Sequence, residues 1–187
     1  MIVSFNWLKE YLNIDIDVAV TSEILTSTGL EVEGVTELFT AFDHLVVGKV
    51  IKCKSHPNAD RLKITQVDVG SSVKQIVCGA NNIDVGQYVV VVLVGNNLVN
   101  NKGDKIKIKK TKIRGEISEG MICAEDEIGL GDNHDGIIIL DKNAKVGMLL
   151  SEHLGIQKDY AIEIGLTPNR TDAFGHIGVC RDLYAYH

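Results

Sequence analysis

Seven basic side chains crowd one stretch of this chain. Lys102, Lys105, Lys107, Lys109, Lys110, Lys112 and Arg114 fall within KGDKIKIKKTKIRGEISEGM (residues 102–121) before its first glutamate, Glu116, and only Asp104 opposes them. Closely spaced ammonium and guanidinium groups attract phosphates and other polyanions. The same pattern has a second use, because lysines on an edge strand keep it from pairing with another chain. Other groups capable of chemistry are sparser. Cys53 and His56 stand at C-x2-H spacing, but no second pair completes a zinc set, and a buried thiol beside a turn histidine is the plainer reading. Glu125, Asp126 and Glu127, with Asp132 and Asp135, do not follow the order of a calcium-binding loop and read as a solvated acidic turn. Ser118 has no histidine near it in sequence and reads as a turn or cap serine. Neither G-x-x-x-x-G-K-[ST] nor G-x-S-x-G occurs, which argues against phosphate-loop and nucleophile-elbow enzymes.

The basic residues need an element to present them. Over residues 105–109 apolar and basic residues alternate, the period of a half-buried strand with Ile106 and Ile108 inward and the lysines outward. Ile113 and Ile117 then fall on the other parity, so a bulge or a new strand is expected near 109–111 to keep them packed inward. Around this stretch lie several short apolar segments. Residues 45–54 contain Gly48, a mark of a bend or bulge. HPNADRLKITQVDVG (56–70) opens with a Pro-Asn turn and continues as a strand alternating through Leu62, Ile64, Gln66 and Asp68, the last at an exposed end. QIVCGA (75–80) follows, then YVVVVLV (88–94), whose unbroken apolar run suits a strand covered on both faces. Residues 136–140 close the series. Five or more short strands joined by Gly/Asn turns, with one short helix around 119–127, predict a five-stranded oligonucleotide-binding (OB) barrel over residues 41–150.

The flanks read differently. Ser4 caps a short helix with Trp7, Leu8, Tyr11 and Leu12 on its inner side, and Asp17 or Thr21 caps a second with Ile24, Leu25 and Thr28 inward. Gly29 ends it, and GLEVEGV (29–35) forms a strand with Leu30 and Val32 inward. After Ser151 helical spacing returns, with Asp172 as cap and Phe174, Ile177, Cys180/Arg181 and Tyr184 as the inner stripe, running to His187. Residues 1–40 and 151–187 are each too short to fold alone, so they are expected to form one small discontinuous α/β domain into which the barrel is inserted. A barrel with loosely attached arms is the alternative. The fold class is therefore mainly β with an α+β flank, and the chain reads as part of a longer one.

Composition narrows the partners. The 187 residues carry a net charge of −6. Residues 43–150, however, hold 15 Lys and Arg against 13 Asp and Glu, so the acidity lies in the flanks. The longest apolar run has seven residues, too short to span a membrane, and the first residues lack the basic region of a signal peptide. The four scattered cysteines fit reduced thiols in the cytoplasm. Between residues 43 and 150 the only aromatic is Tyr88. Barrels that hold single strands stack bases on several rings, so this one is expected to grip structured RNA through phosphates and shape.

HPNADRL, KITQVDVG, QIVCGA and above all KIRGEISEGMICA (112–124), in that order, closely resemble the tRNA-binding barrel. That module is shared by free-standing tRNA-binding proteins, extensions of some methionyl-tRNA synthetases, and the β subunit of bacterial phenylalanyl-tRNA synthetase. GLEVEGV before the barrel and LTPNRTDAFGHIGVCRDL (166–183) after it resemble the N-terminal region of that β subunit. The resemblance implies an accessory, tRNA-binding part of a phenylalanine–tRNA ligase. The full enzyme would be an α2β2 heterotetramer that uses ATP and Mg2+ to attach phenylalanine to tRNA(Phe), with aminoacylation on the α subunit and no active site, metal or cofactor in these residues. The residues expected to touch tRNA are Lys105, Lys107, Lys109, Lys110, Lys112 and Arg114, with Arg61 and Lys63 if they share that side. Ser118 joins them through the N–H groups of its SEGM loop. DNA and membrane partners are not expected. A scaffold role without tRNA contact, or a stand-alone tRNA-binding protein, are the alternatives.

Overall fold

A computed structural model describes residues 1–13, 15–99 and 104–186; nothing is stated of the side chain of Ala41. In chain order the elements are β1 (Ile2–Ser4), α1 (Phe5–Tyr11), α2 (Val18–Ser27), β2 (Glu31–Leu38), β3 (Leu45–His56), β4 (Ala59–Asp68), β5 (Val73–Cys78), β6 (Tyr88–Leu93), β7 (Asn97–Val99), β8 (Lys105–Lys107), β9 (Thr111–Ile113), β10 (Glu116–Ser118), β11 (Gly120–Ile122), β12 (Ile139–Leu140), α3 (Leu150–Leu154), β13 (Asp159–Gly165) and α4 (His176–Tyr186). They form two compact units, Met1–Thr40 with Lys158–His187, and Ala41–Gln157.

In the first unit β13 is the central strand of an antiparallel sheet ordered β1–β13–β2. Its Ile162 and Ile164 are fully buried and pack with Val3, Leu8, Leu25 and Leu183. Ser4 caps α1, its hydroxyl accepting the Trp7 N–H at 3.1 Å, and Asp17 caps α2 through Val20 N–H at 2.8 Å. Gly29, at φ 93, lets the chain leave α2 in a left-handed conformation.

Four expectations fail here. The stretch after Ser151 is not all helical, since β13 lies in it. In α1 the buried residues are Phe5 and Leu8, while Trp7 and Tyr11 are more than half exposed. The Phe174–Ile177–Tyr184 stripe faces outward, and the inner side of α4 is Val179, Cys180 and Leu183. Asp172 is not the cap of that helix, which starts only at His176 after Gly175 at φ 129. Its carboxylate binds Arg170 instead, accepting from Nε and Nη2 at 3.1 Å each.

The second unit is a nearly closed antiparallel barrel of the OB type, ordered β11–β6–β3–β4–β5, with β12 also on β6. The gap between β5 and the β10–β11 segment is bridged by the Glu119 N–H to the Gln75 carbonyl (2.8 Å) and the Val77 N–H to the Ser118 hydroxyl (3.1 Å). Strand β6 is covered on both faces: Val89 and Val91 point into the barrel, and Val90 and Val92 pack under Phe42, Leu98, Ile128 and Leu150. At Gly48 a Cβ would sit 2.6 Å from Val67 Cγ1 and 2.8 Å from Val91 Cγ2, so glycine lets three strands converge.

The parity of β4 is the reverse of the expected one. Thr65, Val67 and Val69 are buried, whereas Leu62, Ile64 and Gln66 are only partly covered. The Thr65 hydroxyl tolerates the interior because it donates to the Ile76 carbonyl at 2.8 Å. No helix forms at 119–127. Residues 120–122 are drawn into the ladder with β6, and the Glu127 carboxylate accepts the Ala124 N–H at 2.7 Å in the turn that follows.

Candidate nucleic-acid interface

The basic stretch is divided between two short ribbons. Strand β8 pairs with β7, Asn97 opposite Lys107 and Val99 opposite Lys105. Lys105, Ile106 and Lys107 are all exposed; Ile106, expected inward, is 49% exposed. Ile108 is buried with Leu98 and Cys123 and anchors the ribbon. The chain then breaks, as the parity switch required, and β9 pairs with β10. Ile117 is nevertheless 44% exposed, another departure from inward packing. Arg114 and Gly115 close this hairpin with φ of 47° and 106°, the signs of a two-residue type I′ turn. Gly115 suits that backbone, and Arg114 adopts it at some steric cost.

A buried histidine fixes the hairpin. His56, at the end of β3, accepts the Asn58 N–H at Nδ1 (3.0 Å), and its Nε2 lies 3.2 Å from the Ile113 carbonyl. Those partners assign the proton to Nε2. The Asn58 side chain and the Arg114 carbonyl, and the Arg114 guanidinium and the Asn58 carbonyl, approach at 3.4 Å. The Pro-Asn turn and the Arg-Gly turn are thus held together, which places Arg114 beside the start of β4, where Arg61 is exposed.

The structure does not use every predicted residue alike. Lys107 and Lys109 line one cleft of about 730 Å3, whose other walls come from residues 77–81, 118–124 and 134–137. Lys112 lies opposite Ile117 on the neighbouring hairpin and is exposed. Lys110 donates to Glu119 at 2.8 Å, and this bond holds the Glu119 carboxyl below its usual range. Lys63 is held by backbone, donating to the carbonyls of Ile83 (2.8 Å) and Asn81 (3.3 Å). Ser118 is buried; its hydroxyl accepts from Val77 and donates to the Gly120 carbonyl at 2.9 Å, so its role is to close the barrel. Lys102 lies outside the described residues.

Sequence reading missed Lys52 and Lys54. They line a smaller groove on the outer face of β3–β5, with Ile64, Gln66 and Gln75. The signal was present, since Ile51-Lys52-Cys53-Lys54 alternates as residues 105–109 do. In the acidic turn, His134 pairs with Asp126 at 2.9 Å, a contact that raises the imidazole above its ordinary value. Among the described residues no group of three His, Cys, Asp or Glu side chains is placed to hold a metal ion, and no helix is long and apolar enough to cross a membrane.

The barrel, with two of its lysines on a cleft, is the architecture of a nucleic-acid-binding module. A family model described as "Putative tRNA binding domain" matches residues 45–149, and the chain belongs to that family. Over its whole length it is 50% identical to the phenylalanine–tRNA ligase β subunit of Bacteroides fragilis and 51% identical to that of Bacteroides thetaiotaomicron, in each case covering 23% of the relative. The chain thus spans less than a quarter of the curated relatives it matches. Among solved structures, a MetRS-related protein from Pyrococcus horikoshii is similar at 24% identity and a TM-score of 0.42, covering 57% of this chain and 87% of that one.

Proposed function

We propose that this chain is the tRNA-binding accessory region of a phenylalanine–tRNA ligase β subunit. The barrel touches tRNA phosphates through Lys105, Lys107, Lys109, Lys112 and Arg114, with Arg61 and Lys110 at the margin, and adds affinity through those contacts. The observation that carries this reading is the conjunction of the family match over residues 45–149 with a cleft lined by Lys107 and Lys109 in the matched barrel. The full enzyme acts in the cytoplasm as an α2β2 assembly. Its ATP and Mg2+ are used by the remainder of that assembly. Titration of tRNA(Phe) into the protein at 50 and 200 mM salt tests the reading. With about three phosphates neutralised, affinity falls more than tenfold between the two. No binding at 50 mM removes the proposal.

A second reading is favoured by the other unit, which exposes Trp7 (55%), Ile177 (59%), Tyr184 (75%) and Phe174 (80%). Large apolar side chains left in water mark an assembly surface. In this reading the split unit packs against the rest of the ligase. Because these side chains lie outside the core, Trp7→Ala with Phe174→Ala leaves the unit folded by circular dichroism and weakens α2β2 assembly in sedimentation. Unchanged assembly counts against it.

A further inference from the structure

The cleft beside Lys107 and Lys109 is not uniformly basic. Glu127 lines it too, half-buried and held in place by the Ala124 N–H on its Oε2 at 2.7 Å. The lysines and the glutamate do not pair with one another, and no carboxylate among the described residues pairs with Lys107 or Lys109. Gly79, Ala80, Ile108 and Ile122 supply small and apolar lining. The volume, about 730 Å3, is that of a small-ligand site. Such a cleft suits a ligand that carries an anion and, elsewhere on the same molecule, a flat group rich in N–H donors.

Resting on the reading that the barrel binds RNA, we infer that this cleft is a subsite for one unpaired guanine nucleotide, its phosphate on Lys107 and Lys109 and its base edge on the Glu127 carboxylate. Guanine alone among the four bases presents two adjacent donors, N1–H and the N2 amine, matching the two oxygens of a carboxylate. Adenine and cytosine set a ring acceptor beside their amine, and uracil flanks its single N–H with two carbonyls. A ring acceptor or carbonyl facing Glu127 is repelled. The cleft lining contains no Phe, Tyr or Trp, and its one flat ring is the His134 imidazole, held by Asp126 at 2.9 Å. Stacking on such a ring is sequence-tolerant, so discrimination comes from the base edge.

The test uses the full chain and fluorescently labelled RNA pentamers UUGUU, UUIUU (inosine, which lacks only the N2 amine) and UUAUU, followed by anisotropy. Guanine is expected to bind about tenfold tighter than adenine, with inosine between them. Glu127→Gln, which keeps an acceptor for the Ala124 N–H, is expected to abolish the ranking and leave UUAUU affinity unchanged or higher. Equal binding of the three pentamers overturns the inference, as does a guanine preference that survives Glu127→Gln. If tRNA binds with the expected salt dependence while no pentamer binds, the subsite is wrong and the accessory role stands; if tRNA fails as well, both fall.

Discussion

The Nε2 of His56 lies 3.2 Å from the carbonyl oxygen of Ile113, joining two motifs 57 residues apart. With the opposite nitrogen accepting from Asn58, one buried ring links the turn that opens β4 to the hairpin that carries Lys112 and Arg114. Replacing it by alanine leaves the half-buried Ile113 carbonyl and the N–H of exposed Asn58 without these partners, which together cost about 1–3 kcal/mol of barrel stability. His56→Ala is therefore expected to lower the urea midpoint and to weaken tRNA binding, although the ring itself need not touch RNA. Retained affinity alongside a lowered midpoint shows that the placement of Arg114 is unimportant.

Ser118→Ala separates a structural role from a binding one. The hydroxyl accepts the Val77 N–H and donates to the Gly120 carbonyl where the barrel closes. Its loss exposes no new surface yet strands a backbone donor, at about 1–3 kcal/mol. The expected result is a barrel that melts earlier and binds tRNA normally at temperatures where it is folded. A large drop in affinity with unchanged melting assigns Ser118 to RNA contact instead.

How much of this was legible depends on what sets each feature. The run at residues 88–94 predicted a strand covered on both faces because every side chain in it is apolar, and Val89–Val92 are each fully buried. The caps Ser4 and Asp17 were legible because capping is local. The inner faces of α1 and α4 were not. Periodicity ranks aromatic positions as core, yet Trp7, Phe174 and Tyr184 remain in water, and a helical spacing cannot reveal that. In β4 the apolar parity itself changes between Ile64 and Val67, and the buried Thr65 depends on a carbonyl from β5 that no local pattern shows.

The basic stretch was likewise visible as charge, while its sorting was not. Lys110 is partly neutralised by Glu119 and Lys63 is held by carbonyls of residues 81 and 83; both arrangements are tertiary. The side chains of Lys52 and Lys54 gather with those of β4 and β5 through strand pairing, with Lys52 opposite Gln66 and Lys54 opposite Ile64.

The thiols provide a pH prediction. Burial pushes the Cys123 thiol far up, and Cys78 and Cys180 rise for the same reason. A native state that holds its thiol protons more tightly than the unfolded chain is favoured below the unfolded thiol value of about 8.5 and loses that advantage as pH rises above it. Stability is thus expected to decline between pH 8 and 10. A disulfide reagent at pH 8 should label Cys53, the only one of the four not classed as buried, ahead of the others, and all four after unfolding. Rapid native labelling of Cys123 contradicts the packing around β6.

Phosphate contact predicts unequal effects among the lysines. Lys107 and Lys109 line the cleft without ion-pair partners among the described residues, so each is free to displace a counterion from RNA. Lys110 must first give up part of its interaction with Glu119, an exposed pair that solvent screens. Each of Lys107→Ala and Lys109→Ala should therefore reduce the slope of log affinity against log salt by about 0.7–0.9, the value for one lost phosphate contact. Lys110→Ala should reduce it by less, and Lys63→Ala should leave it unchanged while lowering stability, because its ammonium is held by the Ile83 and Asn81 carbonyls. The measurement is tRNA affinity at four or more salt concentrations for each variant. Equal slopes for Lys107→Ala and Lys63→Ala mean that the cleft is not where the phosphates bind.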